Sequence, residues 1–458
     1  MTLQEAVLQQ KEALLKTLSE SIQIRSVQSP AQEDAPYGEG VRKCLDHALA
    51  AAQALGFKTG EMDHQMGWCE YGEGDEMIAV LGHLDVVPEG DGWTFDPFGG
   101  EIRDGKIFGR GSMDDKGPVF ASLYALAALR DSGLPIRRRV RILFGTNEET
   151  GSNDMKYYKS HGGELPLMGF TPDGEYPVIN GEKGIINADF KVSYSQEGAV
   201  RLVKIRGGSA HNVVPAAAQA EIMCPASQRS QLIQAACHCS RITCQETENG
   251  FIVYAAGENA HGATPELGVN AIGLLAKSLT ALPLSGKLAE AIRFLWEKIG
   301  LDTTGKALGI ALQDDPSGAL SFNLGTIEGD ENSFTVRLNY RYPVTCRYED
   351  CAPICDTAFE AAGFEKNNEL HKKSLYLPGD CELVKTLLQV YAEQTGLPAE
   401  PKSIGGGTYA KAIPNVVAFG PIFPGDEVRE HKPDEFIEID KLMKNLQIYA
   451  QAIYQLAK

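Results

Sequence analysis

A chain of 458 residues is too long for one hydrophobic core, so about two or three domains are expected. Its 43% hydrophobic and 23% charged residues are ordinary for a folded protein in water. A formal net charge of -18 with no Lys/Arg-rich run argues against nucleic acid, whose phosphates such a surface repels. No apolar run is long enough to span a bilayer, and Met1-Thr2-Leu3-Gln4-Glu5 opens an amphipathic helix rather than a basic, apolar leader. No membrane partner is expected, and a cytoplasmic location is.

In chain order, helices are expected over 4–19 and 41–55, then a buried strand over 77–81 that Gly82 ends. Residues two apart in an extended segment face the same side, so His83 and Asp85 can converge at the strand's C-terminal end, where open α/β sheets collect ligands. Alone, they read as an ordinary strand-end hydrogen bond. The turn Gly109-Arg110-Gly111-Ser112-Met113-Asp114-Asp115-Lys116-Gly117 precedes a helix over 118–130, whose first-turn Pro118 costs nothing. Asp115 at that helix start reads equally well as a cap, but two adjacent acids repel unless something positive lies near. Strands over 140–146 and 167–170 run into Asn147-Glu148-Glu149-Thr150-Gly151 and Thr171-Pro172-Asp173-Gly174. A parallel sheet would gather all these strand ends on one edge.

From about residue 183 the pattern changes to period-two runs, expected as antiparallel strands over 186–192, 200–205, 251–256, 319–328 and 333–342, with helices over 228–237, 267–282 and 287–299. A helix over 381–395, the glycine turn Ile404-Gly405-Gly406-Gly407-Thr408-Tyr409, a strand over 416–419 and a helix over 436–456 return to the first pattern. The expected architecture is therefore α/β. One domain over 1–182 and 379–458 has a mostly parallel central sheet flanked by helices, and an α+β domain over 183–378 is inserted in it. The ten cysteines carry no disulfide-rich signature. Cys237-His238-Cys239 with Cys244 lacks the spacing of a structural zinc site and reads as buried or half-buried thiols.

His83, Asp115, Glu149, Asp173 and His431, all in loops after strands, form an N/O donor set suited to Zn²⁺, Co²⁺ or Mn²⁺. Five such ligands exceed what one tetrahedral ion needs. A two-metal site fits better, with one carboxylate bridging ions about 3.5–4 Å apart. With Glu149 on metal, Glu148 is free to take a proton from water, and the reaction class is metal-assisted hydrolysis of an amide.

Four stretches together resemble a known family: Gly82-His83-Leu84-Asp85-Val86-Val87-Pro88, the 109–117 turn, Thr146-Asn147-Glu148-Glu149-Thr150-Gly151 and His431-Lys432-Pro433-Asp434-Glu435. The family is that of the co-catalytic zinc metallopeptidases, including aminoacylase, carboxypeptidase G and the cytosolic dipeptidases, with the PepV-like dipeptidases most similar. The resemblance implies two Zn²⁺ ions bridged by Asp115, His83 and Asp173 completing one ion, and Glu149 and His431 the other. It also implies Glu148 as general base, Asp85 orienting His83, and a cis peptide after the bridging Asp. It further implies a phosphorylase/hydrolase-like catalytic domain with the inserted domain as its lid, His261 as oxyanion-stabilising residue, Asn212 and Arg341 as substrate-binding residues, and contacts from Gly406, Gly407 and Thr408 to the substrate carboxylate. The expected reaction is hydrolysis of dipeptides with a free N-terminus by a monomer. An N-acyl-amino-acid deacylase or carboxypeptidase is the alternative, and a non-catalytic binding protein is a third, disfavoured reading.

Overall fold

The strand Met77–His83 is buried at every residue, as its unbroken apolar sequence requires of a strand covered on both faces. In the computed structural model, which describes residues 1–458, it pairs in parallel with Arg139–Gly145 on one side and Met168–Thr171 on the other. Val416–Ala418 continues the parallel run beyond Met168–Thr171. Both flanks are antiparallel: Met66–Tyr71 lies against Arg139–Gly145 and carries Lys58–Met62 at the edge, while Ala418 faces Ile179 of Val178–Glu182. The sheet is thus mixed, with four parallel strands at its centre, where a mostly parallel sheet was expected. The 58–71 hairpin escaped the sequence reading because Lys58–Met62 is half-exposed and lacks an apolar run.

Helix Lys116–Ser132 crosses this sheet with residues Lys116 to Leu129 all buried, and ends at Gly133 in the left-handed region with φ 68°. Helix Ile439–Ala457 packs against it, so the chain's last helix completes the core begun by its first. The expected helix over 4–19 is two helices, Leu3–Gln9 and Lys11–Ile22. Thr2 and Glu5 form a capping box at the first, and at the break Gln10 donates to Asp131.

The chain divides into two compact units, one of Met1–Asn180, Leu377–Lys402 and Gly407–Lys458, the other of Gly181–Tyr376 with Ser403–Gly406. The short return of residues 403–406 to the second unit was not anticipated. This second unit is built on an eight-stranded, wholly antiparallel sheet. Its order is Ile242–Thr247, Gly250–Ala256, Ala217–Met223, Arg201–Gly207, Ser321–Asp330, Ser333–Tyr342, Gly184–Ser193 and Glu365–Lys372. Gly184–Ser193 buries alternate residues, and the buried set forms one core with helices Ala226–Ala236, Ala271–Thr280, Gly286–Phe294 and Ala352–Ala361. The helix expected over 287–299 stops at Phe294 and is followed by a π turn over Leu295–Ile299 that Gly300 ends. No helix is long and apolar enough to cross a membrane.

Gly82 lets the start of helix Lys116–Ser132 approach the sheet. A Cβ there would lie 2.3 Å from Val119 Cγ2 and 2.6 Å from Asp115 Oδ2. Gly82→Ala is expected to destabilise the protein by about 1–3 kcal/mol, the usual cost of overpacking. Denaturant unfolding checks this, and an unchanged midpoint would contradict the close packing.

Candidate metal centre

Where the strand Met77–His83 ends, the His83 imidazole is buried. Its Nδ1 lies 2.9 Å from the Asp85 backbone carbonyl and 3.5 Å from Asp85 Oδ1, which turns Nε2 toward Asp114 Oδ1 at 3.1 Å. The other oxygen of the same carboxylate, Asp114 Oδ2, lies 3.0 Å from His431 Nε2, and that nitrogen is also 3.2 Å from Glu149 Oε1. One carboxylate therefore faces two imidazoles, one oxygen each. His431 holds this position with φ 60°, in the left-handed region that a non-glycine residue occupies only when its surroundings demand it.

The position between the two imidazoles, where Asp115 was expected as the bridge, is occupied by Asp114. Asp115 points the other way, toward the buried interior at the head of helix Lys116–Ser132, where its Oδ2 accepts the His83 backbone N–H at 3.2 Å and its Oδ1 has no partner. The turn sends the two side chains to different sides, Asp114 to the imidazoles and Asp115 to the His83 backbone, so only one of the adjacent acids faces both rings. The cis peptide likewise follows Asp114. Asp85 meets His83 Nδ1 more closely through its backbone carbonyl than through its carboxylate. Its carboxylate accepts the backbone N–H groups of Glu148 and Glu149, at 3.1 and 3.2 Å, and so shapes the turn presenting those acids.

The turn that carries Asp114 is pinned by Glu435, whose importance the sequence reading missed although it quoted the residue. Glu435 Oε1 accepts N–H groups from Gly111, Met113 and Asp114 at 3.0, 2.9 and 3.2 Å, while Oε2 pairs with buried Arg110 at 2.6 Å. Tyr409 is a second unanticipated anchor. Its N–H donates to Asp173 Oδ2 at 3.1 Å, its hydroxyl donates to Asp154, and its ring stands edge-on to His83 at 6.1 Å between centroids. Asp154 in turn accepts the N–H groups of Thr146 and Asn147 at 2.6 and 3.0 Å, just ahead of the Glu148-Glu149 turn. A cleft of about 620 Å³ opens beside Asp85, Glu149 and Thr150.

Burial sets the electrostatics. It pushes the Glu148 carboxyl well above the ordinary carboxylate range, with the nearby Asp173 charge adding to the effect, and raises Asp173 to about 7 and Glu430 to about 8. Glu149 is raised for the same reason, against the opposing pull of His431. Asp114 goes the other way: burial works against its charge, but the His431 and His83 hydrogen bonds outweigh it and hold its pKa low. Hydrogen bonds to Asp114 and Glu149 lift His431 to about 11, and despite burial Asp114 and Asp85 hold His83 well above the histidine range. The imidazolium protons are thus the main positive charge among the buried or half-buried acids Asp85, Asp114, Glu148, Glu149, Asp173 and Glu430. Divalent cations fit this arrangement. Ligand atoms of His83, Asp114 and Glu149 lie within 4.8 Å of one another, and all are imidazole nitrogen or carboxylate oxygen, the donors Zn²⁺ accepts.

In the second unit Arg341 is buried on strand Ser333–Tyr342. Its Nε donates to Asn339 Oδ1 at 3.2 Å and its Nη1 to the Gly405 carbonyl at 2.7 Å, with no carboxylate paired to it, and burial lowers its pKa to about 10. The exposed His261 lies within electrostatic reach of this guanidinium. Partial burial of its ring and then the Arg341 charge lower its pKa, favouring the neutral imidazole. Asn212, also exposed, accepts the Gly262 N–H through its backbone carbonyl at 2.7 Å. Of the glycine turn, Gly406 belongs to this unit and Gly407 and Thr408 to the other, where the Thr408 hydroxyl caps the turn Tyr409–Ala412.

A family model described as Peptidase family M20/M25/M40 matches residues 79–455. The YtjP protein of Bacillus subtilis (strain 168) is 40% identical over 463 residues, 99% of each chain. The Beta-Ala-Xaa dipeptidase of Lactobacillus delbrueckii subsp. lactis is 34% identical over 468 residues, 98% of this chain and 97% of its own. Among solved structures, the aminoacylhistidine dipeptidase of Vibrio alginolyticus matches with a TM-score of 0.63 at 16% identity over 97% of both chains, a likeness of fold.

Asp114→Ala is expected to weaken metal binding by more than the about 10–100-fold typical of losing an outer partner. Asp115→Asn keeps an acceptor for the His83 N–H and should stay within that range. Competition titration with a chromophoric chelator decides, and the reverse order would return Asp115 to the bridge. Because both imidazoles must deprotonate to ligate, metal uptake at pH 7 should release protons into weak buffer. A titration with no release would rule out the imidazoles as ligands.

Proposed function

Because this chain belongs to peptidase family M20/M25/M40, we propose that it is a metal-dependent dipeptidase cleaving dipeptides with a free N-terminus. The observation that carries this reading is the Asp114 carboxylate shared between His83 and His431, with Glu148 within electrostatic reach of His83 and Glu149 and outside those contacts. His83, Asp114 and Asp173 would hold one divalent ion, and Asp114, Glu149 and His431 the other. Zn²⁺ is the proposed metal, and Mn²⁺ or Co²⁺ suits the same donors. When bound, the ions polarise the scissile carbonyl and acidify water.

Glu148 is then the general base. It takes a proton from the attacking water as the C–O bond forms, and returns one to the leaving amine nitrogen as the C–N bond breaks. A carboxyl whose pKa is raised by burial suits both halves of that exchange, since it holds the proton between steps. Asp85 supports it by fixing the backbone of the Glu148-Glu149 turn. In the second unit, Arg341 is proposed to bind the substrate's terminal carboxylate, because a buried guanidinium without an acidic partner gains most from an anionic ligand. His261, kept neutral, can donate a ring N–H to the oxygen of the carbonyl under attack. Asn212, Gly406, Gly407 and Thr408 are proposed to complete substrate binding. The Beta-Ala-Xaa dipeptidase relative supports small peptides as the substrate class. The reading takes the chain as a monomer, and sedimentation showing a stable dimer at micromolar concentration would replace that part of it.

A panel of free dipeptides against N-acetylated amino acids tests the substrate class, and cleavage confined to the acetylated set would overturn the dipeptidase reading. Glu148→Gln should leave metal content intact and lower kcat by about 10²–10⁴-fold. Arg341→Ala should lower kcat/KM about 10–100-fold on dipeptides, matching the loss of a hydrogen bond to a charged group, and leave dipeptide amides, which lack the carboxylate, unaffected. Equal losses on acids and amides would remove Arg341 from carboxylate binding.

A further inference from the structure

All ten cysteines are free thiols, but only Cys237 and Cys239 are exposed. Cys237 ends helix Ala226–Ala236, its N–H donating to the Ile233 carbonyl at 3.0 Å. The chain then turns, with Ile242 N–H donating to the Cys239 carbonyl at 3.1 Å, and enters Ile242–Thr247, the edge strand of the second unit's sheet. This return brings half-buried Cys244 back against Cys237, with the two sulfurs 3.3 Å apart.

Two observations favour thiol chemistry here over metal binding. The three cysteines and His238 do not gather into a ligand set: the group of three or more close donors in this chain is His83, Asp114 and Glu149. The His238 Nδ1 is instead turned to the Ala236 carbonyl at 3.2 Å. A disulfide needs its sulfurs about 2.05 Å apart and its Cβ atoms within about 3.5–4.5 Å, and two sulfurs already in contact across a short turn have made most of that approach. Burial and the adjoining sulfur push the Cys244 thiol up to about 12, so it stays protonated while the exposed Cys237 meets solvent oxidants first.

We propose that Cys237 and Cys244 are a peroxide-sensitive thiol pair, oxidised to an intramolecular disulfide by hydrogen peroxide and restored by thiol reductants. In the first step the Cys237 thiolate attacks one peroxide oxygen. The S–O bond forms, the O–O bond breaks, and the departing hydroxide takes a proton to become water. In the second step the Cys244 sulfur attacks the Cys237 sulfenic acid. The S–S bond forms, the S–O bond breaks, and the hydroxide leaves as water with the Cys244 proton. Two thiols are oxidised and one peroxide is reduced to two waters. Cys239, two residues from Cys237 and without a sulfur against it, has no such resolving partner.

The test treats the metal-loaded, full-length protein with one equivalent of hydrogen peroxide, blocks the remaining thiols with iodoacetamide and maps the digest by mass spectrometry. The expected result is loss of two thiols, one Cys237–Cys244 cross-linked species 2 Da lighter, as a disulfide requires, and full recovery with dithiothreitol. In Cys244→Ser, Cys237 should stall as a sulfenic acid that dimedone traps. Links through Cys239, dimers joined by disulfides, earlier oxidation of any other cysteine, or no thiol loss would each overturn the proposal.

Discussion

Everything at the candidate metal centre depends on one carboxylate being held still between two imidazoles. Asp114 turns one oxygen to His83 and the other to His431, residues separated by most of the chain. A free aspartate on a glycine-rich turn would sample many orientations. Here its own backbone N–H and two others in the turn are tied to Glu435, which is locked by Arg110 and lies four residues beyond His431. The segment that delivers one imidazole therefore also clamps the turn that delivers the carboxylate, and the two cannot drift apart independently. Asp85 does the same for the Glu148-Glu149 turn, and Tyr409 links Asp173, Asp154 and His83. Such outer contacts place a donor to within the tolerance a metal demands.

The cost of this arrangement is electrostatic. Gathering Asp114, Asp115, Asp173, Glu148 and Glu149 at one sheet edge buries like charges together, and the structure answers with raised carboxyl pKa values and imidazoles held as cations. A pair of dications would relieve the same strain and free both imidazoles to ligate. The second unit carries the opposite imbalance, a buried guanidinium held by an amide and a backbone carbonyl but by no acid. Uncompensated buried charge is tolerated where a ligand brings the missing sign. The Cys237–Cys244 pair stands apart from both, at a sheet edge where nothing is asked of it by the metal chemistry.

Much of this was legible in the residues. The apolar run before Gly82, the acids placed after successive strands and the change of periodicity near residue 183 pointed to an α/β unit with an α+β insertion and to a site at strand ends. The reading went astray where local pattern is silent. Adjacent Asp114 and Asp115 are chemically identical, and spacing alone could not say which faces the imidazoles. Glu435 and Tyr409 act through contacts to residues hundreds of positions away, so no local motif marks them. Half-exposed edge strands such as Lys58–Met62 and Ile242–Thr247 lack the continuous apolar signal that identified the central ones.

By itself, then, the sequence determined the chemistry on offer: an excess of acids and two histidines at the mouths of buried strands, in an order that resembles one peptidase family. Only the tertiary structure decided which acid is shared, what immobilises it and that two thiols touch. Residue type and strand periodicity are local properties, written every few positions, whereas the direction of a side chain at a turn is set by hydrogen bonds to distant backbone, which exist only once the chain has closed upon itself.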